Sequence, residues 1–303
     1  MSVPGDITLP TIPVLDSFMA YREIGGPDEA PVALFLHGNP TSSYIWRNIM
    51  PLVAPVARCV APDLIGFGQS GKPDIAYSFF DQARYLDAFL DEMGIGSAYL
   101  VLQDWGTGLG FHLAERKPGF AFGTAFMEFL RPFRDWADFS ESAEIRAAFQ
   151  GFRTSSVGEQ MILDQNAFVE GLLPTGAATP LSAEAMAVYR APFRTRESRI
   201  PILAFPRAIP IAGQPADVHE AITRAHSALR AADYPKLLIT ARPGAIITPA
   251  FAADFVKQQK NIELVELPSG IHFHQEDHPE TIGRSVADWI RRSEHARALS
   301  QKS

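Results

Sequence analysis

An aspartate stands where an apolar strand-like run meets a glycine-rich helix start. Residues 98–102 predict a short buried strand, and Asp104, Trp105 and Gly106 follow it almost at once. A strand-to-helix turn of this kind is typical of a nucleophile elbow, which places one side chain above the sheet. A carboxylate there predicts a covalent ester on the enzyme's own aspartate. The indole N–H of Trp105 donates and cannot accept, so the pair indicates displacement of an anionic leaving group.

Hydrolysis of such an ester needs a base for water, an acid that orients the base, and donors for the developing charge. In this layout the order along the chain is nucleophile, acid, histidine, and the histidine follows the last strand. His272 lies shortly after the predicted strand 262–266 and just beyond Gly270. We therefore predict His272 as the base, with His274 as the alternative.

The acid is assigned by elimination. It is expected after the strand before the last, residues 236–240, but no Asp or Glu occurs there before Asp254, which lies in a helical pattern. The remaining place is the end of the strand after the elbow helix, where Glu128 stands among apolar residues. Because an unpaired glutamate is costly to bury, we predict Glu128 as the acid. A structural ion pair with Arg131 or Arg134 is the alternative.

Two loops supply the predicted donors. Asn39, after His37 and Gly38, can direct its side-chain amide into the site, and Trp105 contributes its indole N–H. The backbone N–H groups of Asn39 and Trp105 are candidates for an oxyanion hole. The alternative for Asn39 is a turn residue before Pro40.

Strand-like and helix-like segments alternate along much of the chain. This alternation predicts an α/β protein with parallel strands covered on both faces. The predicted strands are residues 32–36, 58–61, 98–102, 124–127, 236–240 and 262–266.

The alternation fails between residues 129 and 210, which have helix-like pieces and eight of the 21 phenylalanines. We interpret this stretch as a helical cap over the carboxyl ends of the strands, where open α/β sheets bind ligands. Residues 1–128 and 211–303 then form the core domain and 129–210 the cap. The alternative is that most of these phenylalanines are ordinary core residues and do not line a pocket. The predicted pocket wall consists of Phe149, Phe152, Phe168, Pro206 and Ile246.

Composition limits the possible partners. The 303 residues carry a net charge of −7 with no basic run, so nucleic acid is not an expected partner. Cys59 is the single cysteine, and no apolar run reaches the length of a membrane span. Residues 1–15 lack the pattern of a signal peptide. We expect a cytoplasmic protein that does not contact membranes.

Several motifs together resemble the haloalkane dehalogenases of the α/β-hydrolase fold. The resemblance runs from about Val14 to Ile290 and is greatest to the branch, including rhizobial members, whose acid is a glutamate after the sixth strand. It implies a mostly parallel central sheet flanked by helices, with the cap inserted after the sixth strand. The motifs are His37-Gly38-Asn39-Pro40, Asp63 through Pro73, Gln103-Asp104-Trp105-Gly106, Met127-Glu128-Phe129 and Gly270-Ile271-His272-Phe273.

The resemblance also implies the chemistry. Asp104 attacks the halogen-bearing carbon, Trp105 and Asn39 hold the halide, and His272, oriented by Glu128, activates water. A small halogenated aliphatic substrate gives an alcohol, a halide ion and a proton. No metal or organic cofactor is implied; water is the co-substrate and a halide such as chloride the bound product. The sequence leaves the oligomeric state open, and a homodimer is one of the assemblies considered.

Some positions depart from the family pattern. Gln103 stands where many relatives have histidine, and His274 where many have leucine. Gln103 and Gln275 suggest a second, buried chloride site, for which a Gln–Gln hydrogen bond or a bound water is the alternative. The residues of this predicted second site are Gly38, Thr41, Ile45, Gln103 and Gln275.

Other functions of this fold are less consistent with the sequence. An epoxide hydrolase, the main alternative, normally uses two cap tyrosines, whereas residues 129–210 contain only Tyr189. A fluoroacetate dehalogenase is expected to have arginines beside the nucleophile, and a serine esterase a serine at the elbow. A binding protein without activity would not need the complete set of groups.

Overall fold

The protein is built on one sheet, seen in a computed structural model that describes residues 7–300. The strands are β1 (Thr11–Val14), β2 (Ser17–Ile24), β3 (Val32–Leu36), β4 (Arg58–Pro62), β5 (Ala98–Asp104), β6 (Ala121–Phe129), β7 (Lys236–Pro243) and β8 (Ile262–Gly270). Their order across the sheet is β1-β2-β4-β3-β5-β6-β7-β8. Strands β1 and β2 are antiparallel to their neighbours, and all pairs from β4 to β8 are parallel.

The parallel strands bring their carboxyl ends to one edge. Leu36 at the end of β3 pairs with Leu102 in β5, and Asp104 at the end of β5 pairs with Phe129 at the end of β6. Every residue of β5 is buried, as expected for a strand covered by helices on both faces. This arrangement confirms the predicted α/β-hydrolase fold with a mostly parallel central sheet.

Helices cover the sheet and one of its edges. They are α1 (Met50–Val53), α2 (Phe79–Glu92), α3 (Trp105–Arg116), α4 (Trp136–Phe139), α5 (Ala143–Arg153), α6 (Ser155–Gly158), α7 (Leu173–Thr175), α8 (Ala183–Arg190), α9 (Ile200–Ala208), α10 (Ala216–Ala231), α11 (Pro249–Val256), α12 (His274–Asp277) and α13 (Pro279–Ser300). Two π-helical segments, Glu159–Asp164 and Phe168–Leu172, and three 3₁₀ segments, Ser43–Trp46, Ala191–Phe193 and Glu197–Arg199, complete the set for the described residues.

The segment between β6 and α10 is helical, in agreement with the expected cap. Here "the cap" denotes residues 136–208, from α4 to α9. Its interior is a chain of aromatic contacts in which Phe149 packs on Phe139, Phe152 and Phe168 at ring distances of 4.9, 5.4 and 6.0 Å. The cap was predicted to begin at Phe129, but Phe129 is the last residue of β6 and belongs to the sheet.

Strands β1 and β2 were not predicted. Strand β1 has four residues, contains Pro13 and buries only Val14, so it lacks the apolar run by which the inner strands are recognised. Strand β3 has the bounds predicted for it. Strands β5 and β6 extend two residues beyond their predicted carboxyl ends, because polar site residues interrupt the apolar pattern there. No helix within residues 7–300 is long and apolar enough to cross a membrane. Residues 1–6 of the segment considered for a signal peptide lie outside the described part of the chain.

Candidate active site

Asp104 lies at a strained turn between β5 and α3. Its backbone has φ 50° and ψ −127°, a conformation that costs a non-glycine residue about 1–3 kcal/mol. Two glycines make the turn possible, because their lack of a side chain lets neighbouring groups approach them closely. A Cβ on Gly106 would lie 2.1 Å from the carbonyl oxygen of Leu36, and a Cβ on Gly38 would lie 2.2 Å from Asp104 Oδ2. The predicted nucleophile elbow is therefore present.

The Asp104 carboxylate is held by main-chain donors. The N–H of Asn39 donates to Oδ2 at 2.9 Å. Burial raises the pKa of Asp104 above its ordinary value, while His272 and the N–H groups of Trp105 and Asn39 favour the ionised form. The main chain of the elbow is fixed in turn by Thr107, whose hydroxyl donates to the Asp104 carbonyl oxygen at 2.5 Å.

Glu128 is fully buried and faces the predicted base. Its Oε2 lies 3.0 Å from His272 Nδ1. The loop after β7, in which no acid was found, supplies its other partners, since Ile246 and Ile247 donate their N–H groups to Glu128 at 2.8 and 3.2 Å. Glu128 has φ 43°, a second strained residue at the site. The loop after β7 therefore contributes no carboxylate of its own and instead binds the carboxylate of Glu128.

The imidazole of His272 lies between the two carboxylates. Its Nε2 is 3.7 Å from Asp104 Oδ1 and 3.0 Å from Gln103 Nε2. Because Nδ1–H donates to Glu128, Nε2 carries the lone pair that a base requires. Burial alone would lower the pKa of His272, but the hydrogen bond to Glu128 and the charge of Asp104 outweigh it and raise the pKa above its usual value.

The alternatives for these residues do not match the geometry. Arg131 and Arg134 both pair with Asp138, so Glu128 is not their partner. His274 is fully buried and does not line the cavity at the site. His37 supports the loop that carries Asn39, because its Nδ1 lies 2.8 Å from the Gly38 carbonyl oxygen and its Nε2 accepts the Leu64 N–H at 2.9 Å.

Trp105 and Asn39 reach the same cavity. The indole of Trp105 stacks on Phe205 at a ring distance of 4.7 Å, and both Trp105 and Asn39 line the cavity beside Asp104. The Asn39 side-chain amide donates one hydrogen to the carbonyl oxygen of Ile202 in α9 at 3.2 Å. An amide carries two hydrogens, so the second remains for a ligand.

The cavity above Asp104 has a volume of about 340 Å³ and is lined by residues of both the cap and the core. Four of the five predicted wall residues line it: Phe149, Phe168, Pro206 and Ile246. The prediction for Phe152 needs correction. Phe152 is absent from the lining because it packs behind the wall, with its ring 5.4 Å from those of Phe149 and Phe168.

Other lining residues were not predicted. Ile145 lies four residues before Phe149 on α5, and this i, i+4 spacing places both side chains on the helix face that lines the cavity. Leu130, Leu172 and Phe273 also face the cavity. Among residues 7–300 no group of three or more His, Cys, Asp or Glu side chains is arranged to hold a metal ion.

The residues of the predicted second halide site are buried. The Thr41 hydroxyl donates to the carbonyl oxygen of Gly38 at 3.1 Å, and Ile45 is covered. Within the described chain, neither polar atom of the Gln275 side chain nor Oε1 of Gln103 has a hydrogen-bond partner. The alternative of a Gln–Gln hydrogen bond is not formed, because Gln103 Nε2 contacts His272.

Comparison with known proteins places this site in a family. A family model described as the alpha/beta hydrolase fold matches residues 31–149. A haloalkane dehalogenase of Bradyrhizobium diazoefficiens is 60% identical over 299 residues, which is 96% of this chain and 96% of that protein. The chain belongs to the haloalkane dehalogenases. A haloalkane dehalogenase of Mesorhizobium japonicum is 54% identical and covers 92% of this chain and 90% of its own length.

A solved haloalkane dehalogenase has the same fold throughout. The crystal structure of haloalkane dehalogenase DbeA from Bradyrhizobium elkani superposes with a TM-score of 0.94 at 63% identity, covering 96% of this chain and all of that chain. The resemblance to rhizobial haloalkane dehalogenases is thereby confirmed. The protein is a hydrolase of the class that acts on carbon–halide bonds, and an epoxide hydrolase is not favoured.

The substitution Glu128→Gln tests the electrostatics of the pair. It removes the charge that raises the pKa of His272, so we expect that pKa to fall and the imidazole to become neutral at lower pH. An NMR pH titration of the His272 ring measures this directly. Glu266→Gln, at an exposed carboxylate of β8, is the control and should leave the pKa unchanged. An unchanged or higher pKa in Glu128→Gln would contradict the pairing.

Proposed function

We propose that this haloalkane dehalogenase cleaves carbon–halogen bonds through an alkyl ester on Asp104. The observation that carries the proposal is the placement of one carboxylate oxygen. Oδ2 is bound by the Asn39 N–H, whereas Oδ1 lies 3.7 Å from His272 Nε2, and Asp104 lines an apolar cavity. Oδ1 is therefore the attacking atom, and Oδ2 is the atom that the main-chain donors continue to hold.

In the first step Asp104 Oδ1 forms a bond to the halogen-bearing carbon while the carbon–halogen bond breaks. The halide leaves with the electron pair and is received by the indole N–H of Trp105 and the side-chain amide of Asn39. Hydrogen bonds to a charged partner contribute about 1.5–3 kcal/mol each. Because they strengthen as the halide charge develops, two of them accelerate the step by on the order of 10²–10⁴.

In the second step His272 Nε2 takes a proton from water, and the resulting hydroxide attacks the ester carbonyl carbon. The charge that develops on Oδ2 is stabilised by the N–H groups of Asn39 and Trp105. The bond between the carboxyl carbon and the alkyl oxygen then breaks, and the imidazolium of His272 returns its proton to the leaving oxygen, which gives the alcohol. The carboxyl group of Asp104 loses its own proton to solvent, which restores the carboxylate and accounts for the acid released. Glu128 keeps the Nδ1 proton in place and stabilises the imidazolium.

The cavity favours a small, uncharged, aliphatic halide. Its volume of about 340 Å³ is at the small end of ligand pockets, and most of its lining is apolar. No arginine lines it among the described residues, which disfavours a haloacid such as fluoroacetate. No tyrosine lines it either within residues 7–300, and the hydroxyl of Tyr189 donates to Glu276, so a phenol for epoxide opening is missing.

We also propose a second, buried chloride site between Gln103 and Gln275. The support is the unsatisfied side chain of Gln275, since buried amides normally have partners. The two N–H donors on Gln275 Nε2 suit an anion. Gln103 would turn its second amide hydrogen toward the same ion while the first stays with His272.

The expectations for cofactors, location and partners are kept as proposals. The chemistry above is complete with groups of this chain, water and the halide product, so the enzyme is proposed to work without a metal or organic cofactor. A cytoplasmic location is proposed on the buried, free thiol of Cys59, which is typical of a reducing compartment. Homodimer formation stays a prediction, as do the absence of nucleic-acid and membrane partners.

The substitution His272→Phe tests the ester mechanism. With 1-bromobutane the unchanged enzyme should release bromide and acid continuously. The variant should release one bromide per active site and stop, because no base activates water. Intact mass measurement should then show a butyl group on Asp104. His295→Phe, at an exposed position of α13, is the control and should turn over normally.

Two outcomes would contradict this mechanism. A bromide burst without a butyl adduct in His272→Phe would exclude the ester. Opening of an epoxide offered in parallel, without bromide release from 1-bromobutane, would instead favour the epoxide hydrolase.

The second chloride site is tested with crystals soaked in bromide. We expect an anomalous peak beside Gln275 in the unchanged protein and in the exposed control variant Gln258→Leu, and no peak in Gln275→Leu. The reason is that leucine has the volume but not the N–H donors. A soaked crystal of the unchanged protein with no peak at this position would remove the proposal.

A further inference from the structure

The main chain that carries the base is hydrogen-bonded to the cap. The carbonyl oxygen of Gly176 accepts the N–H groups of both His272 and Phe273, at 2.7 and 2.8 Å. Gly176 directly follows α7. A Cβ on Gly176 would lie 2.5 Å from the ring of Phe273, so the absence of a side chain allows this close approach.

A second connection lies five residues later in the chain. The carboxylate of Asp277, the last residue of α12, accepts the N–H groups of Ala178 and Thr179 at 2.9 and 2.8 Å. The cap segment 176–179 and the base segment 272–277 therefore bind each other in both directions. The cap segment contributes the carbonyl acceptor of Gly176, and the base segment contributes the carboxylate of Asp277 at its far end.

Glu276 adds a third connection to the base segment. Its carboxylate receives two hydrogen bonds of 2.7 Å from the core residue Arg47 and accepts the hydroxyl of Tyr189 from α8. This fixes α12 against the core on one side and the cap on the other. Asp277 differs from Glu276 in that the hydrogen bonds to its carboxylate come from cap residues.

The nucleophile is positioned by other groups. Asp104 is held by the Asn39 N–H and by Thr107, which both belong to the core. Loss of the Asp277 contacts therefore shifts the base segment without shifting the nucleophile. Under the proposed function His272 acts only on water in the second step, so the two steps should respond differently.

We propose that Asp277 is a positioning residue for His272 and sets the rate of ester hydrolysis. This inference rests on the function proposed above. The carboxylate anchors the segment 272–277 to the cap segment 176–179 and keeps His272 Nε2 directed at the water that attacks the ester. A displacement of about 1 Å is enough to cost a catalytic step up to 10²-fold.

The substitution Asp277→Ala separates the two steps. With 1-bromobutane we expect the rate and amplitude of the bromide burst to stay within about twofold of the unchanged enzyme. Ester hydrolysis should fall by about 10-fold, and the butyl ester of Asp104 should accumulate. Rapid-quench bromide measurement and intact mass follow the two steps. Asp277→Asn retains one acceptor oxygen and should recover part of the lost hydrolysis rate.

The control is Glu280→Ala, which removes an exposed carboxylate three residues further on that pairs with Arg284 on its own helix. It should change neither step. A merely structural role for Asp277 would reduce the burst amplitude and both rates together, which would overturn the proposal, as would unchanged hydrolysis in Asp277→Ala. If Asp277→Ala does not fold, the same comparison is made with Asp277→Asn. Absence of bromide release from 1-bromobutane by the unchanged enzyme would instead refute the proposed function.

Discussion

The structure depends on presenting a charged carboxylate in an apolar cavity. A buried ionised carboxylate is costly unless hydrogen bonds compensate it, and Asp104 obtains that compensation from the main chain at the end of β5. These donors reach it only because Gly38 and Gly106 permit a close approach of β3, β5 and α3. The strained backbone of Asp104 follows from the same requirement, and the packing of the sheet maintains it.

The base is arranged by a division between core and cap. Glu128 is supplied by β6, and the loop after β7 satisfies the acid with its N–H groups, so the imidazole is oriented from the core. The main chain of His272 is bound to Gly176 in the cap. Under the proposed mechanism the cap therefore both encloses the substrate and holds the residue that activates water. This links exclusion of solvent to the geometry of the second step.

The sequence predicted the inner sheet and the residues that meet at the site because both have local signals. The elbow at Asp104 follows an apolar run, and Glu128 was found because the usual acid position is empty. Contacts between distant segments had no such signal. The packing of Phe152 behind the wall and the binding of Asp277 to Ala178 arise from tertiary arrangement, which residue spacing does not encode. The hairpin β1–β2 was missed because its short edge strand is only partly buried.

The most direct test of the ester on Asp104 is a single turnover in oxygen-18-enriched water with enzyme in excess over 1-bromobutane. Water attacks the carboxyl carbon in this account, so the alcohol keeps an oxygen from Asp104 and the label enters the Asp104 carboxylate. Mass spectrometry of the alcohol and of the peptide containing Asp104 reads both products. Unlabelled butanol with labelled Asp104 is the predicted result. Labelled butanol with unlabelled Asp104 would show direct displacement by water and contradict the account.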